Sequence, residues 1–527
     1  MKSPASVSLG PSLRKVLQRF TIWQLLLTFV VMFYVIYFTA MSLDRHHGLA
    51  TSTYDVALYE QGLWLLSHGK APFVTLMGRN LFGDHASFIL IFLVPIYRLF
   101  PDAGTLFFVQ SLVIGLGAVP IFLAARRRLA SEAMAFVMAV CFLLHPAVGW
   151  TNLENFHPDS FLVLFVGMAI YAALERRWRM YWVFVVLTLL VKEDVVLVVL
   201  PLAAWVAMRR DRRIGVATAV VTVSATLIAM FLVMRSLIGV PTRNAWRIPF
   251  GGPGGLAREV VARPGNVIEH LRGDGRPFYL WQMAFPMAFV FLRRPGVAAI
   301  SFLVLFTNIL STFGYQYNVE YHYSLIAVPA IVIGTVYAIE QLGQRGKRRL
   351  VAGIAVTSVW SCLMWGAVPV GAILMPGAED PIGRDLPASW SPDDESAIAA
   401  REMFALVPAN ASVSAHHTLT PHLANREAIY QFPNPFRVVL YGVGDSLEDA
   451  RACVPAADKI EYVLLEARST EAVAEWWIAA ADFEIVARDD FWVLYHRVDH
   501  AVSCVYGNPD GYRHLVNADP STQSQTQ

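Results

Sequence analysis

The sequence has few charged residues and no nucleotide-binding motif. Charged residues make up 16% of its 527 residues, against about 25% in a typical soluble domain, which argues against a soluble globular protein. No Walker loop, no GxGxxG fingerprint after a strand and no nucleic-acid-binding motif occurs in the sequence. The sequence therefore predicts neither a nucleotide-driven mechanism nor a nucleic-acid partner.

Cysteine is also scarce, and the four cysteines fall into two groups. Cys141 and Cys362 lie in apolar segments, where a free cysteine packs like a small apolar side chain. Cys453 and Cys504 lie in the polar C-terminal part and could form a disulfide if that part is extracytoplasmic. Spacing alone does not tell whether the two are close enough to bond.

A cleavable signal peptide is lacking as well. Arg14, Lys15 and Arg19 precede the apolar run Ile22–Ala40, which is too long for a signal peptide and has no small-residue cleavage site. We interpret this run as a retained first membrane span with its N-terminus in the cytoplasm.

Long apolar segments dominate the first two thirds of the chain. The sequence is 56% hydrophobic with a mean hydropathy of +0.48, and its apolar blocks have about the length that crosses a bilayer core. The stretch His85–Phe100 is short and contains Pro95, so we predict a re-entrant or interfacial helix there. About eleven spans are predicted, at roughly 21–42, 104–125, 131–149, 159–174, 180–191, 195–208, 214–238, 279–292, 296–313, 323–342 and 350–373.

Positive charges set the predicted orientation, because Lys and Arg mark cytoplasmic loops. The segment 180–208 has Lys192, Glu193 and Asp194 at its centre and arginine clusters on both flanks. A single straight helix would place three ionisable groups near the membrane centre, at a cost of several kcal/mol. Two short helices that meet at an outward turn keep both clusters in the cytoplasm. The long loop 239–278, with its six arginines, faces outward in this topology.

The chain therefore divides into four predicted parts. A polytopic α-helical membrane domain with large outward loops at 43–103 and 239–278 is followed by a polar region with short strand-like runs such as Tyr462–Leu465 and Phe491–Tyr495. We predict that this region is a small extracytoplasmic α/β domain. The parts are a cytoplasmic N-terminus (1–20), the transmembrane domain (21–375), the α/β domain (376–516) and a disordered tail (517–527).

Acidic and histidine residues gather in the loops that are predicted to face outward. In the first loop, Asp55 begins a short amphipathic stretch, where it could be a general base that takes a proton from an acceptor hydroxyl or an ordinary helix N-cap. Asp84 and His85 at the end of the same loop could hold a metal ion or orient one another, or form a turn.

Three further loops add polar residues to this face. Glu154 and His157 lie in a short connector. Lys192 could bind a lipid phosphate, and Glu193 or Asp194 could neutralise the charge of the lysine. The aromatic run around Tyr321 and His322 could stack on a sugar or belong to an interfacial tyrosine belt. A solvated loop and a self-satisfied ion pair remain open as simpler interpretations of the connector and of the Lys192 turn.

These residues resemble a family of uncharacterised bacterial multi-spanning membrane proteins, known as a domain of unknown function, across about residues 50–500. The similarity lies in several short motifs taken together, and it extends into the tail. The motifs are Tyr54-Asp55 with Gln61 and Trp64–Gly69, Gly83–His85, Phe156–Pro158, Lys192–Asp194, Val413–Ala415, Pro421–Leu423, Arg426, Ile429-Tyr430 and Pro433.

That family is grouped by fold with the GT-C glycosyltransferases, which are polytopic enzymes that use polyprenyl-phosphate sugars. The resemblance implies a GT-C-like fold in which Asp55 takes the position of the catalytic carboxylate. Lys192 resembles a lysine that follows a short outward turn in the aminoarabinose and protein-mannose transferases. We therefore expect a lipid-linked sugar transferase in the bacterial plasma membrane, with an envelope glycan or lipid as acceptor.

Within this hypothesis, Asp55 is the base and the other polar residues support it. Asp84, His85 and His157 would orient the base or hold a divalent cation, for which Asp84 and His85 are the candidate ligands; no cofactor is otherwise expected. The predicted substrate- and phosphate-binding residues are Lys192, Glu193, Asp194, Gln61, Glu154, Arg243, Arg247, Tyr321 and His322, with Arg258 as a further phosphate-binding candidate.

A transporter or flippase of a lipid-linked intermediate is the alternative, because charged groups inside a membrane domain suit transport too. No inverted repeat is evident in the sequence, and a transporter has no need of a large outward soluble domain. Internal pseudo-symmetry would favour this alternative.

Overall fold

The structure is a computed structural model, and it describes residues 20–237, 243–367, 391–436, 456–468 and 480–498. Several predictions lie outside these residues. They concern the cytoplasmic N-terminus, the domain boundary near residue 376, the cysteines Cys453 and Cys504, and the tail from residue 517.

Helices make up the described chain as far as residue 367. Within the described residues, the helices of eight or more residues are α1 (Ile22–His47), α2 (Leu58–Ser67), α3 (Phe88–Leu99), α4 (Ala103–Leu129), α5 (Glu132–Leu143), α6 (Pro146–Leu153), α7 (Pro158–Leu174), α8 (Trp178–Leu189), α9 (Val196–Arg209), α10 (Arg212–Met234), α11 (Pro253–Ala262), α12 (Pro264–Arg272), α13 (Arg276–Ala284), α14 (Ala298–Leu310), α15 (His322–Ile339), α16 (Gln344–Trp365) and α17 (Glu395–Leu406). A one-turn helix, Leu81–Asp84, follows the two-residue strands β1 (Phe73–Val74) and β2 (Arg79–Asn80).

Four of these helices, α1, α4, α10 and α15, are long and apolar enough to cross a membrane, by length and composition. A fifth span is added if α5 and α6, which meet at an angle of 49°, are counted as one. The break falls at Pro146, which has no N–H to continue the hydrogen bonding of α5. Most of α15 is buried, whereas few residues of α10 are buried and it presents exposed apolar side chains such as Phe231. We therefore place α15 in the centre of the bundle and α10 at its lipid-facing edge.

The predicted hairpin at 180–208 is present as two helices. Helix α8 ends at Leu189, Lys192 is fully extended, and a 3₁₀ turn at Glu193–Val195 leads into α9. The predicted span at 279–292 is less regular than expected. Helix α13 ends at Ala284 and gives way to 3₁₀ turns, because Pro286 removes a backbone donor and Ala288 has a positive φ of 49°.

Basic residues from several helix ends meet on the side of the bundle opposite the Lys192 turn. Arg128 donates to Glu340 at 2.8 Å and lies 3.4 Å from Glu175. Arg294 lies 3.7 Å from Glu340, and the Lys347 ammonium donates to the carbonyl of Arg128 at 3.1 Å. The residues that were predicted to be cytoplasmic thus share one end of the bundle, and the assignment of that end to the cytoplasm stays a prediction.

A five-stranded mixed sheet follows the helical part. Its strands are β3 (Val413–Ala415), β4 (Ile429–Gln431), β5 (Tyr462–Glu466), β6 (Phe483–Arg488) and β7 (Trp492–Arg497), in the order β4-β3-β5-β7-β6. The pairs β3/β4 and β3/β5 are parallel, and β5/β7 and β6/β7 are antiparallel. Helix α17 covers the sheet, and the Trp492 indole donates to its Ser396 carbonyl at 2.8 Å.

This C-terminal region is bonded to the loop that carries Asp55. The hydroxyls of Thr53 and Thr420 lie 2.7 Å apart. Thr75 donates to the carbonyl of Ile429 at 2.6 Å and accepts from its N–H at 3.1 Å. Because these bonds come from two separate parts of the loop, the sheet region and the first loop form one structural unit.

Candidate active site

Asp55 occupies a strained turn directly before α2. Its backbone has φ 75° and ψ −68°, between an extended Tyr54 and a helical Val56. Such a left-handed conformation is uncommon for an aspartate, and local strain of about 1–3 kcal/mol persists only where the surroundings enforce it. The helix after the turn begins without a side-chain cap, so the N-cap interpretation of Asp55 does not hold.

The Asp55 carboxylate faces a cluster of charged side chains and keeps one accessible side. Its Oδ2 lies 3.7 Å from Nε2 of His157, and 32% of its side chain is exposed. Loss of solvation on burial raises the pKa of Asp55 to about 6, even though the positive charges of His157 and Lys192 oppose this shift. A carboxylate with a pKa near 6 is ionised at neutral pH and more basic than an ordinary aspartate, as a general base requires.

Glu154, His157 and His322 form the buried centre of the cluster. Glu154 Oε2 lies 3.0 Å from His157 Nε2 and 3.5 Å from His322 Nδ1, and the two imidazole rings stack at 3.8 Å. Burial alone would lower the pKa of His157, but the carboxylates of Glu154 and Asp55 raise it to about 9. The chain reverses at Asn155, whose φ is 47°, which brings Glu154 and His157 together.

Lys192 lies at the extended residue between α8 and α9 and is almost fully buried. Its ammonium is 3.6 Å from Asp159 and 3.7 Å from Asp194, both longer than a hydrogen bond. Burial would lower the pKa of Lys192, but these carboxylates raise it well above its ordinary value, so the ammonium stays charged. Asp194 is 46% exposed, and the lysine is therefore approachable from that side.

A second cation approaches the same region from the long loop. The Arg247 guanidinium lies 4.2 Å from the Phe313 ring and 5.7 Å from the Tyr323 ring, and it donates to the Tyr323 hydroxyl at 3.5 Å. Lys192 Nζ lies 6.0 Å from that same Tyr323 ring. Arg247 Nε is buried and has no hydrogen-bond partner within the described residues. Two cations thus flank Tyr323, and one retains an unused donor.

Asp84 and His85 lie beside the cluster with partners of their own. His85 Nδ1 is 2.7 Å from Glu193 Oε1, and the same glutamate accepts from the Ala86 N–H at 3.1 Å. Asp84 lies 3.9 Å from Arg79 and 3.8 Å from His85. His85 therefore ties the first loop to the Lys192 turn. Among the described residues, the group that is close enough to share a metal ion is Glu154, His157 and His322 instead.

Two of the remaining predicted binding residues, Gln61 and Tyr321, make contacts of other kinds. The Gln61 amide donates to Thr75 at 2.8 Å and to the Glu427 carbonyl at 3.1 Å, which is a structural role at the base of the sheet region. The Tyr321 ring packs on Tyr315 at 4.4 Å. Arg258 is exposed on α11, and the side chain of Arg243 lies outside the described residues.

Sequence reasoning did not select Asp159, Tyr59 or Tyr323 as site residues. Asp159 is the nearest carboxylate to Lys192. Tyr59 and Tyr323 both lie close enough to Lys192 for the charge of the lysine to act on their hydroxyl groups. The position of Asp159, two residues after His157, could have indicated that it belongs to the site. The two tyrosines gave no such indication, because tyrosine is common at membrane interfaces.

Comparison with known proteins identifies the fold. A family model described as predicted membrane protein (DUF2079) matches residues 45–484. The structure of ArnT from Cupriavidus metallidurans bound to undecaprenyl phosphate aligns with a TM-score of 0.53 at 16% identity, over 90% of this chain and 99% of that one. The apo form of the same protein aligns with a TM-score of 0.51 at 15% identity, over 89% and 98%. No curated protein matches the sequence.

These similarities establish the fold class and leave the activity open. At such low identity, the likeness to ArnT shows the fold alone. The protein is a polytopic α-helical membrane protein with a GT-C-like architecture and a small C-terminal sheet region, as the sequence predicted.

Proposed function

The chain belongs to the DUF2079 family of predicted membrane proteins, and we propose that it is a glycosyltransferase of the GT-C type. In this proposal, a sugar moves from a polyprenyl-phosphate donor to an envelope glycan or lipid acceptor at the outer face of the plasma membrane. One observation carries the proposal. Asp55 is held on a strained turn with one accessible side, in the same cluster as the buried cation Lys192.

Asp55 has the properties of the base. Its carboxylate is part-exposed, so an acceptor hydroxyl can reach it, and its raised pKa of about 6 favours proton transfer. The turn is held from behind by the bond between Thr53 and Thr420 and continues directly into α2. Such support fixes a reactive group to within fractions of an ångström, as a catalytic carboxylate requires.

Lys192 and Arg247 have the properties of a phosphate site. Both flank Tyr323, neither is engaged in a tight ion pair, and Arg247 Nε has no partner within the described residues. In a poorly hydrated site, fixed cations stabilise the charge that develops on a leaving phosphate much more than they do in water. The undecaprenyl phosphate named in one ArnT structure supports a polyprenyl lipid as the ligand here.

The reaction would be a single displacement that inverts the anomeric carbon. The acceptor oxygen forms a bond to that carbon while the carbon–oxygen bond to the donor phosphate breaks. The acceptor proton moves to the Asp55 carboxylate, and the bonding electrons leave with the polyprenyl phosphate, whose charge Lys192 and Arg247 stabilise. No nucleotide enters this scheme, in agreement with the absence of a nucleotide motif.

Donor consumption by the purified protein in nanodiscs tests the proposal. A set of polyprenyl-phosphate sugars is incubated with envelope glycan and lipid extracts, and released polyprenyl phosphate is measured by mass spectrometry. We expect Asp55→Asn to reduce release by about 10²–10⁴-fold, the usual effect of losing a general base. Asp211→Asn is the matched control, because Asp211 caps α10 and asparagine caps a helix equally well.

Two outcomes would overturn the proposal. Full activity of Asp55→Asn would remove the base from the mechanism. Failure to consume any donor, together with movement of polyprenyl-phosphate sugars across a liposome bilayer, would favour the transporter.

A further inference from the structure

Glu154, His157 and His322 bring three metal-ligating atoms together from two separate loops. Glu154 and His157 lie in the connector between α6 and α7, and His322 is the first residue of α15. Their ligand atoms, Glu154 Oε2, His157 Nε2 and His322 Nδ1, all lie within 4.8 Å of one another.

The separations fit one small ion at the centre of the three atoms. The carboxylate oxygen is 3.0 Å from one imidazole nitrogen and 3.5 Å from the other. Ligands at about 2.0–2.2 Å from a tetrahedral zinc ion are about 3.3–3.5 Å apart. The 3.5 Å separation agrees with that value, and the 3.0 Å separation would have to open slightly when the metal binds.

The three atoms are buried, and the close polar contacts among them are with one another. Glu154 Oε2, His157 Nε2 and His322 Nδ1 are each enclosed, and within the described residues none has a hydrogen bond to a group outside the cluster and Asp55. His157 and His322 are more than nine-tenths buried. Buried polar atoms that converge on one point and lack such outside partners suggest a ligand that satisfies them together.

We propose that Glu154, His157 and His322 bind one divalent transition-metal ion of the zinc class. Two imidazoles and one carboxylate suit zinc and its neighbours, whereas magnesium and calcium prefer all-oxygen ligands. Three protein ligands leave one coordination position for water. The Asp55 carboxylate lies beside these ligands, with its Oδ2 3.7 Å from His157 Nε2.

The ion would also link the loop between α6 and α7 to the start of α15. Asp159 and Tyr323 follow directly after the two ligand-bearing segments, and both surround Lys192. Metal binding at this position would therefore fix the two segments that shape the phosphate site. The metal site itself follows from the three side chains and does not depend on the transferase activity.

Metal content and cobalt spectroscopy test the site without an activity assay. The full-length protein in detergent is stripped with a chelator, reloaded with Zn²⁺ or Co²⁺ and desalted, and bound metal is measured by mass spectrometry. We expect about one ion per chain and the visible absorption bands that four-coordinate Co²⁺ gives with nitrogen and oxygen ligands.

Variants identify the ligands. His322→Asn should weaken metal binding by at least about 100-fold, because loss of a supporting outer-shell partner alone costs about 10–100-fold. His416→Asn is the matched control, since His416 lies in the sheet region and pairs with Glu466 at 3.6 Å. It should bind metal as the wild type does.

Two results would overturn the site. One is a wild-type protein that takes up no Co²⁺ or shows no four-coordinate spectrum, a measurement that needs no variant to fold. The other is equal loss of metal in His322→Asn and His416→Asn. The first result would mean that Glu154 and His157 form a simple ion pair, and the second that the metal is not bound through His322. An inactive protein that binds metal would contradict the transferase alone.

Discussion

Replacement of Glu60 by glutamine should remove a large pH-dependent loss of stability. Glu60 lies in α2, is only 2% exposed, and has one carboxylate oxygen, Oε2, without a hydrogen-bond partner within the described residues. Burial, and to a smaller extent the charge of Asp102, raises the pKa of this carboxyl group from 4.5 to about 8. The group is therefore protonated in the folded protein at neutral pH.

The hydrogen bonds around Glu60 agree with a protonated side chain. The Tyr97 hydroxyl lies 3.1 Å from Glu60 Oε1 and 2.6 Å from Asn425 Oδ1. A hydroxyl has only one proton to donate, so it cannot satisfy two acceptors. If the shorter bond to Asn425 takes that proton, a protonated Glu60 can donate to the Tyr97 oxygen. The amide N–H of a glutamine can make the same donation.

The direction of the pH effect follows from the raised pKa. Below about pH 4.5 the carboxyl group is protonated in both folded and unfolded protein, and it has no effect on pH dependence. Between pH 4.5 and about 8 the unfolded chain loses this proton while the folded protein keeps it. Stability therefore falls with rising pH by about 1.4 kcal/mol per pH unit, or by about 5 kcal/mol in all.

Thermal unfolding in detergent across pH 4.5–9 measures this effect. We expect Glu60→Gln to melt like the wild type at the acidic end and roughly 5 °C or more above it at the alkaline end. Glu484→Gln is the matched control, because Glu484 is exposed on β6, and its curve should follow the wild type throughout. Parallel curves for Glu60→Gln and wild type would refute a protonated Glu60.

Three further changes test other contacts. Lys192→Met should lower the free energy of unfolding by about 3–5 kcal/mol, because it leaves the buried Asp159 carboxylate without its nearest cation. Lys192→Arg should lower it much less in chemical denaturation, and equal losses would contradict the pairing. Thr53→Val and Thr420→Val should show a coupling of about 0.5–1.5 kcal/mol in a double-mutant cycle, and additivity would mean that the 2.7 Å contact contributes nothing. Gly334→Ala should destabilise the protein by about 1–3 kcal/mol, since a Cβ there would lie 2.7 Å from the backbone nitrogen of Ala298. Gly353→Ala in α16 meets no atom within 4 Å and should leave the melting temperature unchanged or slightly higher.

Local charge and proline patterns predicted two features of the helical part. The break between α8 and α9 followed from Lys192, Glu193 and Asp194 lying between two arginine clusters. The apolar run His85–Phe100 contains a separate helix, α3, in which Pro95 lies where the 3₁₀ segment Phe88–Leu93 continues into α-helix. Both features arise because charged residues and proline are costly within a membrane helix. About twenty residues of sequence are enough to recognise such a pattern.

Contacts between distant loops could not be predicted in the same way. Asp84 and His85 were the metal candidates because they are adjacent in sequence, whereas the three side chains that lie close enough to share an ion come from residues 154, 157 and 322. Gln61 looked like a binding residue and instead bonds to the Glu427 carbonyl of the sheet region. Such pairings depend on how helices pack against one another, and a single sequence does not show which loops meet.

A structure of the purified protein with undecaprenyl phosphate added tests the central claim most directly. We expect the phosphate to lie between the Lys192 ammonium and the Arg247 guanidinium, beside Tyr323, with the accessible side of Asp55 facing it. A phosphate bound away from Lys192, or an Asp55 carboxylate turned away from the bound lipid, would contradict the transferase.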